Sequence, residues 1–322
     1  MSPLNPRLDP GPYRSENSLS LVSVQDISME QIAVLALLLA AVLALLARAP
    51  QRFLKDILHR RPAWICAAPL LFSAVFSGAA ALAGAWSLPL ALLMLAYTAA
   101  PALCAYAQGA GAVSRPSVLD FLTVLLLWLP LEFSAGANLI PRTAQGFLHS
   151  VAYGIAILLA LVLFVGFRSV PGLRFNLPRH ARDYWLPLAG FAMAAPVLAV
   201  VGIALGFIPP PHAPTQSAGR IVSAAGLIFA GTALPEEILF RSLIQNLLML
   251  RFGAGTRTLL AAAFIFGCAH LDNGPQPLPN WRYMILATIA GVAYGAVFRK
   301  ASTVLSSAAL HMLVDWTKHF FF

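Results

Sequence analysis

The sequence has few charged residues for its length. Only 10% of its 322 residues are Asp, Glu, Lys or Arg, and just 12 are acidic, whereas 59% are hydrophobic. A soluble domain carries about 25% charged residues on average. The shortage excludes a soluble globular enzyme and predicts an all-α fold, a polytopic helical membrane protein with about eight to ten transmembrane helices.

Cysteine is equally scarce. Cys66, Cys104 and Cys268 are odd in number, lie in apolar segments and show no CxxC spacing. They therefore give neither a disulfide framework nor a zinc finger, and we interpret each as a small hydrophobic residue within a helix.

The basic residues lie mainly in short polar connections. Two of these, the loops Arg48–Pro62 and Arg168–Tyr184, carry much of the net charge of +9. Basic loops between apolar segments stay in the cytoplasm, so we interpret the charge as a topology signal and expect no nucleic-acid partner. The Ala- and Leu-rich composition favours a multi-pass protein of a bacterial inner membrane.

The apolar segments suggest three regions. Residues 1–30 form a polar N-terminal tail, residues 31–180 an N-terminal transmembrane extension, and residues 181–322 a C-terminal transmembrane domain. Asp120 and Glu132 flank one short apolar segment, where exposure at the membrane interface is the expected explanation.

One apolar segment contains two adjacent acids, Glu236 and Glu237, in ALPEEILFR. A charge in mid-bilayer costs about 2.5–3.5 kcal/mol on insertion scales, so such groups usually face a polar interior. Glu237 and Arg241 are four residues apart, acid first, which favours an ion pair on one helix face. Glu236 points about 100° away and is left as a candidate general base. Pro235 predicts a kink with a free carbonyl at Gly231.

Three helices can bring four ionisable residues to one depth. Glu236 and His270 lie on either side of a turn at Gly253–Gly255, each roughly 20 Å from it at 1.5 Å per residue. His311 and Asp315 share a face of the last helix at a similar depth, roughly 15–20 Å. The spacing therefore predicts a polar cavity in the C-terminal bundle, suited to water activation with oxyanion stabilisation or to a metal site.

Three motifs stand in order: EExxxR at Glu236–Arg241, FxxxH at Phe266–His270, and HxxxD at His311–Asp315. Together they resemble the CPBP intramembrane endopeptidases, the family of type II CAAX prenyl proteases and bacteriocin-processing enzymes. The resemblance covers roughly Trp185–Lys318 and identifies residues 181–322 as a catalytic domain. It implies a hydrolase acting on a protein or peptide substrate at the membrane.

The resemblance also implies roles for the residues. Glu236 and His270 would activate the attacking water, and His311 with Asp315 would stabilise the oxyanion. Glu237, Arg241 and Phe266 would be structural. Members are often labelled metalloproteases, but a metal-free mechanism has also been proposed, and we favour it. We therefore expect no required cofactor, with zinc held by Glu236, His270 and His311 as the alternative.

One residue departs from the family pattern, because the last motif usually ends in Asn and this chain has Asp315. An ionised Asp repels an oxyanion, so Asp315 can act only if it is protonated, orients His311 or binds a metal.

Two other functions remain open from the sequence. A non-catalytic scaffold or immunity protein could keep the same polar layer for stability. A proton-coupled transporter is disfavoured, because no inverted repeat is visible.

Overall fold

The computed structural model describes residues 28–132, 145–273 and 278–322, which contain helices and no strand. Most of the predicted polar tail, 1–30, lies outside these residues. Eleven helices, α1 to α11 in chain order, occupy Met29–Ala44, Arg48–Arg60, Ala67–Leu82, Leu88–Tyr106, Val118–Glu132, Gln145–Leu161, Arg182–Ala204, Ala218–Phe252, Thr256–Cys268, Trp281–Lys300 and Leu305–Phe321. The predicted all-α fold is confirmed.

Six helices in the described residues are long and apolar enough to cross a membrane, or up to seven if the bent pair α1 and α2 is one span. The chain is thus an integral, multi-pass membrane protein. The number is lower than the eight to ten expected, because α9 and α11 have only 13 and 17 residues and α5 has 15 within the described residues. Apolar composition predicted these segments correctly as helices, but each is shorter than the roughly 20 residues that a perpendicular span needs.

The first basic connection is a helix and not a loop. α2 covers Arg48–Arg60 and meets α1 at 85°. Its apolar side faces the end of α6, where Leu54 and Leu58 lie against the backbone at Gly166. Charged residues and leucines alternate with the period of a helix along this segment, which explains why it folds as an amphipathic helix.

The N-terminal helices surround α6, which continues as a π-helical stretch at Val162–Phe167. At one end of α5, Asp120 is fully buried and its carboxylate pairs with Arg168, with Nε and Oδ1 3.0 Å apart. The expectation that Asp120 is exposed at the interface was therefore wrong. Its charge is stabilised by the guanidinium of Arg168, which directly follows the π-helical stretch at the end of α6.

Asp183 joins two connections of the C-terminal domain. Its carboxylate accepts hydrogen bonds from the backbone N–H of Arg179, His180 and Ser302. The connection before α7 and the turn between α10 and α11 therefore lie at the same end of the bundle. Their basic residues were expected to share one side of the membrane, and this geometry agrees with that expectation.

α8 is irregular around the acidic pair. Two π-helical stretches, Phe229–Ala233 and Ile238–Gln245, flank the short α-helical turn Leu234–Glu237. Pro235 cannot donate a backbone hydrogen bond, and wider turns on either side of it let one continuous helix accommodate that loss. Such π-helical turns occur frequently at functional sites.

Gly267 sets the distance between α9 and α10. A Cβ at this position would clash with the Thr288 side chain and lie 2.7 Å from the backbone carbonyl oxygen of Met284. His270 lies three residues after Gly267, in the turn that follows α9. The close approach of these two helices therefore fixes the position of that histidine.

We expect Gly267→Ala to lower the free energy of unfolding by about 1–3 kcal/mol, as overpacking typically does. Reversible unfolding in detergent measures it. Gly226→Ala in α8 is the control, because its added Cβ has no atom within 4 Å. Equal stability of the two variants would contradict the account of this contact.

Candidate active site

The predicted ion pair between Glu237 and Arg241 is present. Arg241 Nε donates to Glu237 Oε2 at 3.0 Å, and neither side chain has any exposed surface. Both residues lie at the centre of α8, one turn apart, so the pair needs no other helix to form. What the other helices supply is the exclusion of water.

Arg241 is also held by aromatic rings. Its guanidinium carbon lies 4.7 Å from the ring centroid of Phe266 and 5.7 Å from that of Tyr294. Its two terminal nitrogens are buried and find no hydrogen-bond partner within the described residues. Cation–π contact and the single strong bond to Glu237 therefore compensate for the lost hydration.

His311 is the centre of the polar cluster. Its Nδ1 lies 3.2 Å from Glu237 Oε1, and its Nε2 lies 3.4 Å from Asp315 Oδ2 and 3.9 Å from Glu236 Oε2. Tyr294 stacks on its imidazole ring, with centroids 4.6 Å apart. The residues predicted from α8 and α11 are thus brought together.

The surroundings of His311 favour the imidazolium form. A neutral imidazole donates from one nitrogen only, whereas here both nitrogens face carboxylate oxygens. When both nitrogens carry a proton, Nδ1–H faces the Glu237 carboxylate and Nε2–H faces the Asp315 carboxylate. His311 is therefore suited to stabilise negative charge.

Glu236 borders open space beside His311. About 31% of its side-chain surface is accessible, as is 31% of that of Asp315, in contrast to the fully buried Glu237. Glu236 Oε2 is nevertheless buried and finds no hydrogen-bond partner among the described residues. A carboxylate in this position can accept a hydrogen bond from water.

His270 approaches the cluster from α9. Its Nδ1 lies 2.8 Å from the Phe266 carbonyl oxygen, which fixes Nδ1 as the donor and leaves Nε2 as the acceptor of a neutral ring. The Phe266 ring contacts the rings of both His270 and His311, with centroids 4.7 and 5.8 Å away. The three helices therefore converge as predicted, with Phe266 between the two histidines.

Two further residues of the site were missed. Tyr283 packs its ring against His270 with centroids 4.5 Å apart, and Lys318 Nζ lies 4.6 Å from the Tyr283 centroid. Lys318 also interacts electrostatically with Asp315. Asp315 and Lys318 are three residues apart on α11, and this spacing in the sequence indicates an acid–base pair.

Lys318 changes the interpretation of Asp315. Three carboxylates in this layer, of Glu236, Glu237 and Asp315, are accompanied by three basic groups, of Arg241, His311 and Lys318. Asp315 thus has basic neighbours and can remain ionised. Its contact with His311 Nε2 matches the alternative in which it orients that ring.

No metal was assigned from the sequence, and Glu236, His270 and His311 were named as the ligands of the alternative zinc site. Within the described residues, no three His, Cys, Asp or Glu side chains are grouped so as to hold a metal ion. The His311 nitrogens instead face carboxylates, and His270 Nδ1 bonds to a carbonyl. As placed, these residues do not fit a metal centre, and the term metalloprotease has no support in the structure.

Comparison with known proteins supports the motif analysis. Residues 218–317 match the family model described as type II CAAX prenyl endopeptidase, Rce1-like. No curated protein and no solved structure matches the chain significantly. The match begins at α8 and includes all three motifs, so it confirms the resemblance to the CAAX protease family.

We expect Glu237→Ala to lower the free energy of unfolding by about 3–5 kcal/mol, because it leaves the buried charge of Arg241 unpaired. Chemical denaturation in detergent measures the loss. The double variant Glu237→Ala with Arg241→Met should recover part of it, since no unpaired charge remains. A single variant as stable as the wild type would contradict the clamp.

Proposed function

We propose that the chain is an intramembrane endopeptidase, because residues 218–317 match the family model described as type II CAAX prenyl endopeptidase, Rce1-like. It hydrolyses a peptide bond of a membrane-associated or lipid-modified protein or peptide. The observation that carries the proposal is Glu236, a partly exposed carboxylate beside a histidine that a buried ion pair holds. Its Oε2 is itself buried and has no hydrogen-bond partner among the described residues.

In the first step Glu236 accepts a proton from a bound water, and the water oxygen attacks the carbonyl carbon of the scissile bond. His270 orients the same water through Nε2, which is free to accept a hydrogen bond because Nδ1 is engaged by the Phe266 carbonyl. Positioned proton transfer of this kind contributes typically about 10²–10⁴-fold to a rate.

Attack places negative charge on the carbonyl oxygen, and His311 supplies the donor for it. The Glu237–Arg241 pair holds Nδ1, so the Nε2–H edge faces the space shared with Glu236. Asp315 orients this edge, while Lys318 offsets its charge. A preorganised donor in a water-poor site stabilises an oxyanion more than water does.

In the second step the tetrahedral intermediate collapses and the carbon–nitrogen bond breaks. The proton taken up by Glu236 passes to the leaving amine, which returns Glu236 to its ionised form. Each turnover therefore consumes one water and leaves a new carboxylate and a new amine. This balance needs no metal or other cofactor, in keeping with the metal-free mechanism that we favour.

We place the protein in a bacterial inner membrane, with its basic connections in the cytoplasm. The segments before α7 and after α10 lie at the same end of the bundle, and both adjoin basic residues. Because basic connections stay in the cytoplasm, this shared end supports the orientation. The cluster around Glu236 then lies within the membrane, where a substrate's membrane-bound segment can reach it.

We expect Glu236→Gln to abolish cleavage while leaving accumulation and unfolding near normal, because Gln keeps the size of Glu but cannot take up a proton. His270→Ala should act in the same direction. The measurement is a mass-spectrometric comparison of protein termini in host membranes carrying wild type or variant at matched levels.

Arg220→Gln in α8 is the control, since Arg220 is exposed and lies more than four helical turns before Glu236. Termini that appear with wild type and the control but not with Glu236→Gln identify the substrate. Identical termini in all strains would refute the protease and leave the scaffold function.

We also expect turnover of the identified substrate to survive chelation, because Glu236 and His270 activate the water in the proposed chemistry. Purified protein dialysed against a zinc chelator should retain its rate, and elemental analysis should find zinc well below one per chain. Loss of activity that zinc restores would contradict the metal-free mechanism.

A further inference from the structure

Glu132, at the end of α5, lies outside the segment that matches the family. It was expected to be exposed at the interface, but its carboxylate is half-buried and engaged. Glu132 Oε2 accepts hydrogen bonds from Trp128 Nε1 at 3.2 Å and from the Tyr153 hydroxyl at 3.0 Å. Two donors on one oxygen hold this side chain between α5 and α6.

The same carboxylate interacts with the segment after α9, which contains His270. The Asn273 side chain interacts with Glu132, and the Asn273 backbone N–H donates to the His270 carbonyl oxygen at 3.3 Å. Asn273 Nδ2 also donates to the Ala269 carbonyl oxygen at 3.4 Å. Glu132 is therefore linked through a single residue, Asn273, to the turn that contains His270.

A second route connects Glu132 with Glu236. α6, which carries Tyr153, packs against the turn Leu234–Glu237. The charge of Glu132 acts on Glu236, and that of Glu236 acts on Tyr153. The three groups thus lie within electrostatic range of one another.

A series of aromatic contacts also connects the end of α5 with the active site. Trp128, which donates to Glu132, contacts Phe240 edge-on at 5.2 Å between centroids, and Phe240 contacts Phe266 at 4.9 Å. Phe266 lies between His270 and His311. Movement of the α5 end would therefore reach both histidines through packed rings.

We propose that Glu132 is a positioning residue of the active site, through which the N-terminal helices hold the turn after His270 in place beside Glu236. This inference rests on the proposed function for its catalytic consequence but not for its structural one. Glu132 itself needs no contact with the substrate. It acts through Tyr153 on one side and Asn273 on the other.

The test uses full-length protein in detergent and two readouts. Hydrogen–deuterium exchange of the segment 269–273 needs no substrate and reports the order of the His270 turn. Steady-state kinetics use the peptide identified by the comparison of termini. In Glu132→Ala we expect faster exchange of this segment and a kcat lower by roughly 10–100-fold, the scale of loss when catalytic groups are misplaced. KM should stay nearly constant.

Glu132→Gln should retain part of the activity, because its amide oxygen still accepts from Tyr153. Asp120→Asn is the matched control: it removes a buried acid at the other end of α5, whose partner is Arg168. It should affect stability without changing exchange of 269–273 or kcat per folded molecule.

Three results would overturn the proposal. The first is unchanged exchange of the segment 269–273 in folded Glu132→Ala. The second is an equal increase of that exchange in Asp120→Asn. The third is faster exchange in Glu132→Ala with an unaltered kcat. If the wild type cleaves nothing, the proposed function fails, and exchange alone still decides whether Glu132 holds this turn.

Discussion

The ion pair between Glu237 and Arg241 has no exposed surface, and the rest of the site is arranged around it. Desolvating two charges costs several kcal/mol for each ion, and their attraction offsets this only when additional contacts are present. Here Phe266 and Tyr294 cover the guanidinium, and His311 occupies the second carboxylate oxygen. The groups that compensate for the burial of the pair are thus the same groups that position His311.

This arrangement divides two neighbouring acids into different roles. Glu237 is fully buried against Arg241 and His311 Nδ1, whereas Glu236, one residue earlier, lies near His311 Nε2 and is partly exposed. The π-helical turns on both sides of Leu234–Glu237 widen the helix where the two carboxylates diverge. Pro235 has no backbone N–H, so a regular α-helix would lose a hydrogen bond at this point. The wider π-helical turns accommodate that loss and also lie next to the two carboxylates.

The sequence could predict those features of the site that depend on spacing within one helix. Four residues separate Glu237 from Arg241, which is the spacing that an ion pair on one helix face needs. It could not predict the stacking of Tyr294 on His311 or the bonds from Tyr153 to Glu132, because these depend on how distant helices pack. The basic connection at Arg48–Arg60 was misinterpreted as a loop for a different reason, since its charges concealed an apolar helix face.

The proposed chemistry depends on Glu236 delivering water to a peptide bond. A single-turnover reaction of the identified peptide with purified protein in ¹⁸O-labelled water tests it most directly. The account predicts one solvent-derived oxygen in the new carboxylate and no product from Glu236→Gln. An unlabelled carboxylate in the first turnover would show that the oxygen comes from the protein. Product formation by Glu236→Gln would remove Glu236 from the chemistry altogether.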